Sequence, residues 1–161
     1  MFDAFLKIDG IDGESQDSKH KSEIELLSYS FGADQPGSSH VGGGSGTGKV
    51  HMHDFTVLKY VDKASPPLFV ACATGKAIAS AILTVRKAGG DQQDYIKVTL
   101  NDLIVSSTQN TGQPKGSDGS PTEQVSLNFS KINFEYKEQG KDGSLTGTVT
   151  GGWDVKQNKK V

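Results

Sequence analysis

This chain has one cysteine, one tryptophan, two methionines, and aromatic side chains at only 7% of its 161 residues. The lone Cys72 excludes an internal disulfide, and a thiol in an apolar setting usually behaves as a small buried hydrophobe. It falls in the middle of a helix-like stretch, away from the helix start that would favour a thiolate, which argues against a nucleophile. Neither sign of charge is in surplus: 17 Lys and Arg against 19 Asp and Glu leave a net charge of −2, and no basic stripe marks a nucleic-acid-binding face. The opening MFDAFLKIDG places Asp3 and Lys7 inside what would have to be an apolar run. It therefore reads as neither a signal peptide nor a membrane span, and a protein exported with this start leaves the cell without a conventional signal. There is no G-x-S-x-G elbow and no pair of carboxylates in an apolar context, so no catalytic centre is legible and no enzyme is expected.

What the chain has in quantity is glycine, 20 residues, and two-residue alternation. FDAFLKI (2–8), EIELLSYSF (23–31), KVHMHDFTVLKYV (49–61), ILTVRK (82–87), YIKVTLNDLIVSS (95–107), QVSLNFSKINFEYK (124–137) and SLTGTVTGGWDV (144–155) all read as strands. In the second, Leu27, Tyr29 and Phe31 are expected on one face, with Ser28 and Ser30 on the other. The pattern predicts a mainly β, antiparallel barrel or sandwich of two sheets, as a single domain over 1–161. One helix is expected in DKASPPLFVACATGK, with Ser65 as cap, Pro66 in the first turn, Gly75 at the end, and Leu68, Cys72 and Ala71 inward. The stretches 32–48 and 109–122 are too polar and glycine-rich to order themselves, and Asp142-Gly143 signals a hairpin turn.

SSHVGGGSGTGKVHMHDF (38–55) invites three readings. Gly43 to Lys49 spells G-x-x-x-x-G-K, but a phosphate cradle needs a strand before, a helix after and a hydroxyl following the lysine. Here turn residues precede, a strand follows and Val50 takes the hydroxyl position, so the glycines read as a loop. His51 and His53 share one strand face, as a metal pair would. No third ligand is evident, with His40 in the loop and Asp54 on the opposite face, so no metal or other cofactor is expected. Asp9, Asp12 and Glu14 miss the spacing of a calcium loop and read as a charged surface loop. Trp153 reads as a core or interface aromatic.

Several segments, in order, resemble the haemolysin-coregulated protein (Hcp) family of the bacterial type VI secretion system. They are Gly13-Glu14-Ser15, DKASPPLFVAC (62–72), LTVRKAGG (83–90), VTLNDLIVSS (98–107), TEQVSLNFSKI (122–132) and GWDVKQN (152–158), with the glycine loop between them. The resemblance spans nearly the whole chain. It implies a two-sheet β-barrel with a helix packed on its side, six copies closing into a ring, and rings stacking into a hollow tube like a phage tail tube. It also implies a surrounding contractile sheath, a valine-glycine-repeat spike at the tip, and secreted effectors in the lumen. The tube protein would reside in the bacterial cytoplasm and then be secreted through the apparatus, with no membrane insertion. Gly42, Gly43, Gly44, Gly46 and Gly48 would belong to the ring-stacking loop. Ser28 and Ser30, on the polar side of their strand, are candidates for the lumen wall.

Two departures from the family pattern stand out. Tyr29-Ser30-Phe31 replaces two tryptophans around a serine, and His51 and His53 replace small or amide residues. The main alternative is a carbohydrate-binding β-sandwich, which would need an aromatic platform, yet Tyr60, Tyr95, Tyr136 and Trp153 are dispersed along the chain. A phosphohydrolase using Lys49 comes third.

Overall fold

In the computed structural model, residues 1–36, 49–87, 92–113, 119–140 and 144–161 are described. Their strands are, in chain order, β1 (Phe2–Ile8), β2 (Ile24–Glu25), β3 (Ser28–Ser30), β4 (Ala33–Asp34), β5 (His51–Met52), β6 (Phe55–Tyr60), β7 (Ile78–Lys87), β8 (Asp94–Thr111), β9 (Thr122–Gln139), β10 (Leu145–Asp154) and β11 (Lys159–Lys160). A single helix, α1 (Ser65–Thr74), separates β6 from β7. The protein is thus mainly β and antiparallel with one short helix, as the alternation predicts.

The spine is the β8–β9 hairpin, and β9 is the strand that everything else leans on. One edge of β9 pairs with β8 along nearly its whole length. The other edge is shared: Thr122–Leu127 pair with β6, and Lys131–Gln139 pair with β10. On the far side of β8 the sheet continues through β7 and β1 to β2. The chain then changes partner. Leu26 N donates to Ala4 O of β1 and Leu27 N to Leu58 O of β6, after which β3 pairs with β6. The sheet therefore wraps around its own core as a barrel that is not fully closed. Inside it lie Leu6, Ile24, Phe55, Val57, Leu83, Val98, Leu100, Val125 and Leu127, each at most 1% exposed.

Several expected boundaries shift. The strand predicted over 23–31 is two, because the switch at Leu26 and Leu27 breaks the alternation; Leu26 packs on the core and Leu27 is exposed. The strand predicted over 49–61 divides into β5 and β6 at His53-Asp54. Polar composition also misleads at 109–122, where β8 continues to Thr111 and β9 resumes at Thr122. β-pairing on both flanks satisfies the backbone there, whatever the side chains. The hairpin expected at 139–144 joins β9 to β10, with Gly140 N donating to Ser144 O at 2.7 Å; Asp142 and Gly143 themselves lie outside the described residues.

Helix α1 starts at the expected place with a different cap. Ser65 is its first residue and not its cap; Ala64 holds the cap position without a side-chain capping bond, and its own N–H donates to Asp62 Oδ1 at 2.9 Å. Ser65, Leu68 and Ala71 face inward at three-residue intervals, with Cys72 only partly buried. Gly75 ends the helix at φ 64, a conformation that costs a side-chain-bearing residue energy.

Nor is the segment 9–17 simply a charged surface loop. Ile11, Gly13 and Ser15 are buried between exposed neighbours. Gly13 is needed for space: a Cβ there would lie 2.5 Å from Glu23 O and 2.7 Å from Ile24 Cα.

Candidate functional site

Alternation along β6 turns Phe55, Val57 and Lys59 inward, opposite Leu127, Val125 and Glu123 of β9. Two apolar layers are thereby followed by a buried ion pair, Lys59 Nζ to Glu123 Oε1 at 2.5 Å. Ser65 Oγ donates to the same carboxylate oxygen at 2.5 Å, and Lys59 also reaches Asp62 Oδ1 and Tyr60 O, each at 2.9 Å. The network ties the entry of α1 to the sheet. Charged residues at inward-phase positions of two strands were its only sequence signal, and charge ordinarily argues for the outward face.

A second buried cation, Arg86 on β7, lies over the Phe5 ring at 4.9 Å and donates to Asp17 and Asp3. This contact anchors the 9–17 segment. The Arg86 hydrogen bond lowers the Asp17 carboxyl from its ordinary 3.8 to about 2. Because the folded protein holds this proton less tightly than the unfolded chain, the contact stabilises fully above about pH 4 and fades as pH falls towards about 2. In urea denaturation at a series of pH values, the stability difference between wild type and Asp17→Asn should therefore shrink across that window. Parallel profiles for the two proteins would refute the assignment.

The predicted lumen candidates sit on β3. Ser28 and Ser30 are exposed and pair with Leu58 and Thr56 of β6, while Tyr29 between them turns towards the core. Burial raises the Tyr29 hydroxyl above its ordinary value, with a smaller contribution from Tyr95. The aromatic replacements keep a packed stack: Tyr29 to Phe31 at 6.3 Å, Phe31 to Phe55 at 5.8 Å and Phe31 to Phe134 at 5.3 Å between ring centroids.

Beside this stack, β4 and β5 pair with Asp34 directly opposite His51. His53 Nε2 lies 2.7 Å from an Asp34 carboxylate oxygen, and this hydrogen bond holds the carboxyl below its ordinary value. One ligand atom from each of Asp34, His51 and His53 falls within 4.8 Å of the others. The third donor that could not be read from the sequence is thus Asp34, supplied by strand pairing across residues 35–50. Asp54 turns away, as expected, and accepts from Ser106 Oγ at 2.7 Å and Asn128 Nδ2 at 2.9 Å. The stacking-loop glycines Gly42, Gly43, Gly44, Gly46 and Gly48, together with His40, lie outside the described residues.

Of the dispersed aromatics, Tyr95 and Tyr136 meet edge to face at 6.3 Å, and Trp153 packs against the core with its indole N–H buried. Tyr60 is exposed on another strand, and no shared platform forms among the four in the described residues. No helix among the described residues is long and apolar enough to cross a membrane.

Comparison with known proteins places this architecture. A family profile described as "Type VI secretion system effector, Hcp" matches residues 5–136. The chain is similar to protein hcp1 of Pseudomonas aeruginosa, at 44% identity over 97% of this chain and 96% of that protein. It is also similar to the crystal structure of Hcp1 from Salmonella typhimurium, at 45% identity, 99% coverage of both chains and a TM-score of 0.83. A structure described as a type six secretion system protein matches at 33% identity, 100% coverage of both chains and a TM-score of 0.94. An inward-facing strand face, a side-packed helix and near-complete coverage all agree, and the chain belongs to the Hcp family of type VI secretion proteins.

Proposed function

We propose that this protein is a non-catalytic tube subunit, six copies of which close into a ring whose stacks form a hollow conduit for effectors. The observation that carries the reading is the outer edge of β10. From Leu145 to Thr150 it is bonded to β9 on one side, and no described strand covers the other. Thr146–Thr150 are exposed and Val149 is 68% exposed. An uncovered strand edge of β-branched residues is a template for another chain. In a family whose members are secretion-system proteins, the natural occupant is a second copy. A head-to-tail contact around a ring closes, whereas a second one between ring faces does not close and yields a filament.

In this reading Ser28 and Ser30 line the lumen, a polar and uncharged wall suited to varied cargo. Gly42, Gly43, Gly44, Gly46 and Gly48 make the contact between rings, where glycine lets backbones approach closely. A contractile sheath outside, a valine-glycine-repeat spike at the tip and secreted effectors inside complete the set of partners. The subunit waits in the bacterial cytoplasm and is then expelled.

Negative-stain electron microscopy of the purified protein tests this, because it reports subunit number and lumen in one image. Rings are expected from wild type, and a variant lacking residues 42–48 should keep the rings while losing most stacked tubes. Persistence of single copies at high protein concentration would end the ring reading. Tubes from the shortened variant as abundant as from wild type would end the loop assignment.

A further inference from the structure

We propose that Asp34, His51 and His53 form a binding site for a divalent transition-metal ion of the zinc class. Strand pairing sets Asp34 opposite His51, and His53 follows two residues later on the same side. The His51 and His53 rings lie 5.6 Å apart at 55° to one another. His53 is also held from behind. Its backbone N donates to Gly32 O at 2.9 Å, and its Nδ1 sits over Gly32, where a Cβ would come within 3.3 Å. The backbone side of the ring is thus occupied by Nδ1, leaving Nε2 turned to Asp34 at 2.7 Å. A side chain at position 32 would press on the imidazole and shift it by a few tenths of an ångström.

The donor set decides the class of ion. Two imidazole nitrogens and one carboxylate oxygen suit zinc, nickel or copper, whereas calcium and magnesium require a shell made mostly or wholly of oxygen. Around a tetrahedral zinc with bonds of about 2.0–2.1 Å, donors lie roughly 3.4 Å apart. The present separations, at most 4.8 Å, close to that by modest side-chain rotation. Rotation is available, because the side chains of Asp34 and His53 are 72% and 45% exposed. The other described histidine, His20, is committed elsewhere, buried against Phe5 and bridging Glu23 and Asp94.

Three protein donors leave a fourth position for water. Bound metal ties β4 to the residue just beyond β5 and so staples the two ends of the span 35–50, which contains the glycine-rich segment. The proposal goes beyond the tube reading and stands apart from it: ion binding to the chain requires no ring, and a ring requires no ion.

Titration of the purified full chain with zinc chloride, followed calorimetrically after removal of metal by chelator and dialysis, tests it. One ion per chain is expected, with a Kd in the micromolar range or below, about 1 μM setting the scale. His51→Asn and His53→Asn should each weaken binding by at least about tenfold, and Asp34→Asn by less, since a neutral oxygen remains. Cobalt should give the intense visible absorption of a four-coordinate site in wild type and lose it in the His51→Asn/His53→Asn double variant. Calcium chloride should give no saturable heat. The proposal falls if wild type shows no saturable zinc binding up to about 100 μM, or if the double variant, still folded by circular dichroism, binds as wild type does.

Discussion

Replacing Lys59 with alanine is expected to cost about 3–5 kcal/mol of folding free energy, because it leaves the Glu123 carboxylate buried without its cation. Both side chains are at most 1% exposed, so water cannot take the place of the missing partner. Partial compensation is limited: Ser65 Oγ would still donate to Glu123 Oε1, but Glu123 Oε2 already has no partner. That unpartnered oxygen points to a second result. A Lys59→Met/Glu123→Leu pair, similar in volume and apolar, should recover most of the loss, since breaking a buried pair costs more than replacing it whole. Urea denaturation of the wild type, the single variant and the double variant measures this directly. A loss below about 1 kcal/mol for Lys59→Ala would mean that the pair behaves like a surface contact and that the interior is wetter than the structure implies.

Phe55→Ala should be comparably severe, at about 3–5 kcal/mol, for a different reason. Phe55 is fully buried and its ring supports Phe31, which in turn packs on Phe134 of β9. Truncation removes the floor of that stack and leaves a cavity that two strands, hydrogen-bonded on both edges, cannot collapse to fill. Val70→Ala on the exposed face of α1 is the control and should fall within about 0.5 kcal/mol. Equal losses at the two positions would show that Phe55 is not the packing centre described here.

Alternation made the long strands legible. β1 reads at its observed limits, and the inward run Val98, Leu100 of β8 and Leu127, Phe129 of β9 is plain from period two. Legibility failed wherever the controlling interaction was remote in sequence. Nothing local marks Leu26 and Leu27 as the point where one strand edge is exchanged for another. Ser65 reads as a cap because serine usually is one, yet Glu123, in contact across the fold, claims its hydroxyl. The same limit governed the histidine site: His51 and His53 are visible as a pair, while Asp34 joins them only through the β4–β5 register. The glycine span was conspicuous from its composition alone, and its proposed role came from the family resemblance and not from any contact.

The sharing of β9 among three neighbours limits how this chain can vary in length. Adding one residue within Thr122–Leu127 would send every following side chain through the opposite face and set β6, β8 and β10 out of step at once. The connections from β8 to β9 and from β9 to β10 lie outside this shared register. Fused passengers, epitope tags and spliced segments therefore belong between strands and not within β9, where added residues would disturb the barrel's count.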